Sequence, residues 1–532
     1  MDTQIDVFSD DFQKNKEHIL LLWNDVRRLE DAVIAKSEAS REKIAKAGKL
    51  LPRERLNLLL DPGTPFLEIS SLTGLGMYDD DDGSLTGGGL IAGIGFVEGC
   101  RVMVVVNNYT VKGGTISPAG LRKILRVHEI VLRNRLPLIT LAESGGANLN
   151  YAAEVYIEGA RAFANQARIS ARGIPQITVV HGNATAGGAY QPGLSDHIIL
   201  IKGQSKMFLA GPPLVKAATG ETADDESLGG ADLHASTSGT GEYLATNDLE
   251  AIGIAREVVK NLGWERSVLT RNFPDPKYSP NELPGIVPRD SKRPYDVREI
   301  FLRLTDGSRF QEFKAEYESQ TICAKAQIEG ITCGLIGNNG PITARGAGKA
   351  AQLIETCEQT GVPLVFIHNT TGFMVGTESE RNGIIRQGSK MIQAVANASV
   401  QKISILVGGS FGAGNYAMCG RGFDPDFLFA WPNARTAVMG GEQAGKVLRI
   451  VAEEKMKRSG EAVDEGKLDA LERATAAKLN QSSTALFSTA HLWDDGIIHP
   501  QETRRILGFL LRTGEEAARR ALKTNTFGVP RH

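Results

Sequence analysis

Four stretches of small residues carry the clearest chemical potential in this chain. Glu143-Ser-Gly-Gly-Ala-Asn148 and Gly182-Asn-Ala-Thr-Ala-Gly-Gly-Ala-Tyr190 each follow an apolar run of strand length. Asn369-Thr-Thr-Gly-Phe373 and Gly408-Gly-Ser-Phe-Gly-Ala-Gly-Asn-Tyr416 do the same further on. A strand that turns through small residues into a helix leaves backbone N–H groups free at the helix N-terminus, where the peptide dipoles also favour negative charge. The missing side chains at Gly187 and Gly188, and the small one at Ala413, let a ligand oxygen come close to those groups. Such turns can hold a developing oxyanion. One of them alone would be explained as readily by tight packing. Two equivalent pairs in one chain favour function. Neither is a phosphate loop, because GxxxxGKS/T is absent, and no GxGxxG follows the first strand.

The rest of the catalytic inventory is thin. There is no GxSxG elbow, no HExxH and no cysteine with an evident histidine partner, while His181 and His368, beside the turns, read as structural. Oxyanion donors without a protein nucleophile suit chemistry in which substrate and cofactor bring the reactive groups.

The elements that must position these turns are strands alternating with helices. Short apolar runs at 102–106, 138–141, 177–180 and 198–201 are separated by helical segments, which predicts an α/β fold with largely parallel pairing. Before them, Ile19, Leu20, Trp23, Val26 and Leu29 recur at helical spacing. The sequence also repeats itself. A shift of 226 residues brings Lys123 onto Lys349, Pro137 onto Pro363, Gly146 onto Gly372, Gly188 onto Gly414 and Tyr190 onto Tyr416, without a gap. Two copies of one α/β domain are therefore expected. Six prolines between Pro274 and Pro294 argue for a linker running over the surface. The predicted organisation is a helical segment 1–60, an N-terminal domain 61–272, a linker 273–294 and a C-terminal domain 295–532.

At 532 residues the chain exceeds one core, and 42% hydrophobic with 23% charged residues is ordinary for a globular protein. A net charge of −2 argues against nucleic acid or an anionic membrane as a dedicated partner. Five scattered cysteines, with no CxxC and no metal-ligand spacing, read as core residues of a reducing compartment. The acidic start, Met1-Asp-Thr-Gln-Ile-Asp6, lacks signal- or transit-peptide character, and no run reaches membrane-spanning length, so a cytoplasmic, bacterial setting is expected.

These motifs resemble the carboxyltransferase (β) subunits of biotin-dependent acyl-CoA carboxylases over nearly the whole chain. The matching stretches include Lys49-Leu-Leu-Pro-Arg-Glu-Arg55, Val111-Lys-Gly-Gly-Thr115, Ser144-Gly-Gly-Ala-Asn-Leu149, Thr185-Ala-Gly-Gly-Ala-Tyr190, Thr371-Gly-Phe-Met-Val-Gly376, Val438-Met-Gly-Gly-Glu-Gln443 and Trp493-Asp-Asp-Gly496. The resemblance implies two crotonase-like (ClpP/crotonase superfamily) β-β-α superhelix domains in tandem. It also implies a ligase reaction in which an acyl-CoA enolate takes a carboxyl group delivered on biotin. By that resemblance the N–H groups of Gly187 and Gly188 hold the thioester oxygen, and those of Ala413 and Gly414 hold the biotin ureido oxygen. Gly145, Gly146, Ala147, Thr185, Ala186 and Phe373 are assigned to the acyl-CoA, and Thr371, Gly372, Phe411 and Gly412 to biotin. No metal is implied in this subunit. The sequence contains no biotinylation motif, since Lys455-Met-Lys457 lies in a charged helical stretch, and no biotin carboxylase region. The biotin should therefore arrive on a partner α subunit. Relatives form β hexamers in which the N-terminal domain of one chain meets the C-terminal domain of another. Arg53 and Arg55 are expected to be surface or interface charges.

Within the family the motifs resemble the 3-methylcrotonyl-CoA/geranyl-CoA branch more than the propionyl-CoA branch. The loop after Leu149 is about three residues shorter than is typical of methylcrotonyl-CoA enzymes. Those enzymes also tend to carry a Phe near Gly159 and a larger residue at Ala162. If that Phe closes the acyl pocket, Gly159 leaves room for a bulkier acyl group such as geranyl; alternatively the shortened loop repacks into the space. A propionyl-CoA carboxylase, a biotin-dependent decarboxylase subunit, a single-domain crotonase-type hydratase and a non-catalytic scaffold are the competing readings.

Overall fold

The computed structural model describes every residue except 1, 79, 82, 84, 269–271, 291–292, 526 and 530–532. The chain forms two compact units. The N-terminal unit is Arg28–Leu269 with Ala490–Leu492 and Glu515–His532; the C-terminal unit is Thr270–Thr489 and Trp493–Gly514 with Met1–Arg27. The helical start of the chain is thus divided. Helix Asp10–Glu38 begins among residues of the C-terminal unit, and the shorter helices Arg41–Lys46 and Pro52–Leu59 belong to the N-terminal unit.

The sheet of the N-terminal unit has eight strands. Its antiparallel hairpin, Leu90–Val97 with Cys100–Asn107, turns at Glu98 and Gly99, and both of their N–H groups donate to the Asp61 carboxylate, at 2.9 and 2.7 Å. From there the sheet continues in parallel through Leu138–Ser144, Gln176–Thr185 and His197–Ile201. Every residue of the hairpin strands and of Leu138–Ser144 is buried, including the polar Arg101, Asn107, Thr140, Glu143 and Ser144. The crossover helix Pro118–Asn134 starts where Ser117 accepts the Gly120 N–H and Pro118 fits the first turn; it stops at Arg135, which is left-handed.

The C-terminal unit repeats this plan with seven strands. The hairpin Thr321–Ile328 with Ile331–Asn338 is followed in parallel by Leu364–Thr370, Lys402–Phe411 and Phe427–Ala430. The 226-residue register survives in atomic detail. Thr343 caps helix Ala344–Thr360 as Ser117 caps its counterpart. The paired lysines are both buried and bound to carbonyl oxygens, Lys123 to Leu90 at 2.8 Å and Lys349 to Glu318 at 2.8 Å. The expected tandem α/β fold is observed.

One expectation is corrected. The proline-rich segment does not run over the surface throughout, because Leu283, Pro284, Gly285 and Ile286 form a buried helical turn. Gly285 lies so close to the Phe12 ring that a Cβ there would meet it at 2.4 Å. Proline blocks a long helix but does not prevent burial of a short one. Positions 291 and 292 of this segment lie outside the described residues. All five cysteines are free and buried. No helix among the described residues is long and apolar enough to cross a membrane, and no group of three His, Cys, Asp or Glu among them is placed to hold a metal.

Candidate active site

In the N-terminal unit two strand ends converge. Strand Gln176–Thr185 turns through Ala186 into helix Gly187–Gly193. Ala186 sits at φ 52°, ψ −127°, a conformation that costs a residue with a Cβ on the order of 1–3 kcal/mol and persists only where the surroundings impose it. Its N–H is tied to the Phe208 carbonyl at 3.0 Å. The strain swings Gly187 and Gly188 into the first helical turn, where no carbonyl lies one turn back to take their N–H groups. A Cβ at Gly188 would lie 3.4 Å from Ser144 Oγ, and one at Gly187 would lie 3.6 Å from the Phe163 ring.

The neighbouring turn, Gly145–Ala147, is built differently. The Gly145 N–H donates to the Gly113 carbonyl at 3.1 Å, and the Gly146 N–H donates to Ser144 Oγ at 3.1 Å. Those two donors are committed to the fold. Gly146, at φ 85°, lies against Thr185 and Ala186, and a Cβ there would meet the Thr185 carbonyl at 3.0 Å. Ala147 bridges to Ile116.

The C-terminal unit holds the counterpart. Phe411 ends strand Lys402–Phe411, and Gly412, at φ 53°, occupies the register position of Ala186; Ala413 and Gly414 follow in the first helical turn. The Gly372 N–H donates to Thr370 Oγ1 at 3.2 Å, as Gly146 does to Ser144. Gly414 has no room for a side chain, since its Cβ would lie 2.8 Å from Gly372 Cα. Ala413 and Thr371 are exposed. Phe373 is half-buried against Gly388 in a core cluster with Met391 and Val395. Phe411 lines a cavity of about 290 Å³ together with Asn369, Gly408 and Gly409. In the turn at 411–414 exposed Ala413 precedes buried Gly414, whose contact with Gly372 is too tight for a Cβ.

Gly159 lies in helix Ala152–Ala171, and nothing comes within 4 Å of the Cβ it lacks. Ala162 does not share that space. It is 7% exposed and packs with Leu121 and Val155. Phe163, one turn beyond Gly159, stands over the Gly187 turn and beside Tyr190, with ring centroids 5.7 Å apart. Sequence reasoning missed Phe163, and it missed the hydroxyl pair Ser144 and Thr370, which the repeat register would have revealed. An apolar cavity of about 400 Å³, lined by Ala189, Met207, Phe208 and Leu228, flanks the same turn.

Neither histidine beside the turns is available as a proton carrier. Burial pushes His181 down to about 4 and His368 to about 3, so both are neutral near neutral pH. Arg55 was expected at the surface but is 1% exposed, held by Glu143 at 2.7 Å and Asp248 at 3.2 Å. Arg53 pairs with Glu68 at 2.9 Å.

Comparison with known proteins points the same way. The carboxyl transferase domain family matches residues 43–528. The chain is 43% identical to a probable mitochondrial methylcrotonoyl-CoA carboxylase beta chain of Drosophila melanogaster, over 99% of this chain and 94% of that protein. It is 47% identical to a probable biotin-dependent acyl-coenzyme A carboxylase beta2 subunit of Mycobacterium tuberculosis, over 91% of this chain and 90% of that protein. Among solved structures, the geranyl-CoA carboxylase beta subunit of P. aeruginosa is similar over the full length of both chains, with 58% identity and a TM-score of 0.94.

Proposed function

The chain belongs to the carboxyl transferase family of acyl-CoA carboxylase β subunits, and from that premise we propose that its acyl substrate is a branched acyl-CoA larger than 3-methylcrotonyl-CoA, of the geranyl-CoA type. The observation that carries this reading is the open space beyond Gly159, one helical turn from the Phe163 ring that covers the Gly187 turn. The similarity to a geranyl-CoA carboxylase β subunit supports it.

In this reading the N–H groups of Gly187 and Gly188 hold the thioester oxygen as it gains charge, which favours loss of a proton from the acyl chain. The strain at Ala186 keeps those donors aligned before substrate arrives, and such preorganisation is where most oxyanion stabilisation originates. Ala413 and Gly414 would hold the ureido oxygen of biotin, which supplies the carboxyl group and, once relieved of it, the base. No side chain of the chain need act as nucleophile, consistent with the buried neutral histidines. The biotin would be carried by a partner α subunit in the cytoplasm. Exposed apolar residues such as Leu149, Tyr156 and Ile157 in one unit, and Val375 and Val438 in the other, support burial against further copies of this chain, as in a β hexamer. Steady-state carboxylation by the chain and its biotin-carrying partner, run on propionyl-, 3-methylcrotonyl- and geranyl-CoA, tests the reading. The highest kcat/KM is expected on geranyl-CoA; a preference for either shorter substrate would refute it.

A further inference from the structure

A buried charge network stands behind the two turns of the N-terminal unit. In the N-terminal unit Lys49 Nζ donates to Glu143 at 2.6 Å, and Arg55 donates to the other Glu143 oxygen at 2.7 Å and to Asp248 at 3.2 Å. Asp248 also accepts from the Leu50 N–H, from Gln204, and from His181 Nδ1 at 2.8 Å. Arg55, Glu143, His181 and Asp248 are at most 3% exposed, whereas Lys49 keeps 20%. The two cations balance the two carboxylates, which is what makes burial of four charges tolerable.

The network grips both strands just before their Gly-rich turns. Glu143 immediately precedes Ser144, whose Oγ donates to the Gly114 carbonyl, accepts the Gly146 N–H and lies 3.4 Å from where a Cβ at Gly188 would be. His181 and Gly182 lie in the strand that ends at the Ala186 turn. Gly182 is pressed onto the network so closely that a Cβ would meet Lys49 Nζ at 2.7 Å.

The internal repeat shows what the fold itself requires. In the C-terminal unit the register positions of Glu143 and His181 are Asn369 and Val407, both uncharged, and Asn369 packs against Gly408 as Glu143 does against Gly182. The same strand-turn-helix forms there with no carboxylate and no histidine at those two register positions. A carboxylate and a histidine at those positions are therefore not needed to make the turn, and their presence in the N-terminal unit ties them to what that unit does.

We propose that Lys49, Arg55, Glu143, Asp248 and His181 are positioning residues that hold the Gly187–Gly188 donors in register with the Ser144–Gly146 turn for the thioester oxygen. The inference rests on the assignment of this turn to the acyl-CoA. Lys49 is the informative site, because its removal leaves Glu143 still paired with Arg55 in a folded protein. In the complex with the biotin-carrying partner, Lys49→Met should lower kcat for acyl-CoA carboxylation at least tenfold. KM and the acyl-CoA-independent decarboxylation of carboxybiotin should stay unchanged, Tm should fall in Lys49→Met and recover in the charge-balanced Lys49→Met/Glu143→Gln variant, and Lys49→Arg should recover most of the rate. Glu143→Gln, with the charge-balanced double variant Lys49→Met/Glu143→Gln, should lose the same half-reaction. Unchanged kcat in a folded Lys49→Met variant would overturn the inference, as would a fall in Tm with parallel loss of both half-reactions. A loss confined to carboxybiotin decarboxylation would instead overturn the assignment of the turn.

Discussion

Gly159→Phe separates pocket size from fold integrity unusually well. Beyond the helix's own backbone and chain neighbours, no atom lies within 4 Å of the position a Cβ would take, so the new side chain starts into open space. Replacing a mid-helix glycine of Ala152–Ala171 should by itself stabilise the helix by about 0.5 kcal/mol. The cost should fall on substrate. A geranyl group carries about five more carbons than a 3-methylcrotonyl group, and at ~0.8 kcal/mol per buried methylene the lost room is worth up to about 4 kcal/mol, roughly a thousandfold in kcat/KM. Partial repacking of Phe163 would reduce that to about thirtyfold. The assay is the ratio of kcat/KM on geranyl-CoA and 3-methylcrotonyl-CoA for the complex, beside Tm for the variant chain. An unchanged ratio, or an equal loss on both substrates with a lowered Tm, would refute the pocket argument.

The two turns should respond unequally to the same small change. Gly414→Ala forces a Cβ to within 2.8 Å of Gly372 Cα and should destabilise the chain by about 1–3 kcal/mol, whereas Gly188→Ala meets nothing nearer than 3.4 Å and should fold normally; thermal unfolding of both decides this. The biotin-side turn is therefore better probed at exposed Ala413, where Ala413→Val should slow carboxybiotin decarboxylation about 10²-fold if its N–H is a donor, and near-normal rates would show that it is not. Asp494 is buried with one oxygen unpartnered, and burial raises its carboxyl from 3.8 to about 7. The folded state thus keeps a proton that the unfolded state releases, and stability should fall as pH rises from about 4 to about 7, by up to about 4 kcal/mol. Asp494→Asn should gain Tm over the parent at pH 8 but little at pH 4; a difference independent of pH would contradict the assignment.

The tandem repeat and the four turns were legible because they depend on local sequence, a strand period followed by small residues, and because the two halves check each other. Arg55 was not, since its partners Glu143 and Asp248 come from distant segments and a lone arginine in a list of motifs looks like a surface charge. Gly159 and Ala162 were singled out together as positions where relatives carry larger residues, yet residues three apart differ by about 60° around the helix axis, enough to put one over open space and the other in the core. The committed N–H groups of Gly145 and Gly146 were hidden for a similar reason. Their acceptors, the Gly113 carbonyl and Ser144 Oγ, are fixed only once loop and strand meet.

Transfer of a carboxyl group from biotin carried on a separate polypeptide is tested most directly by ATP-dependent fixation of labelled bicarbonate into acid-stable acyl-CoA product. The purified chain alone should fix none and should give no streptavidin signal. Addition of a biotinylated α subunit should restore fixation in proportion to the complex formed. Biotin detected on this polypeptide, or fixation without the partner, would contradict it.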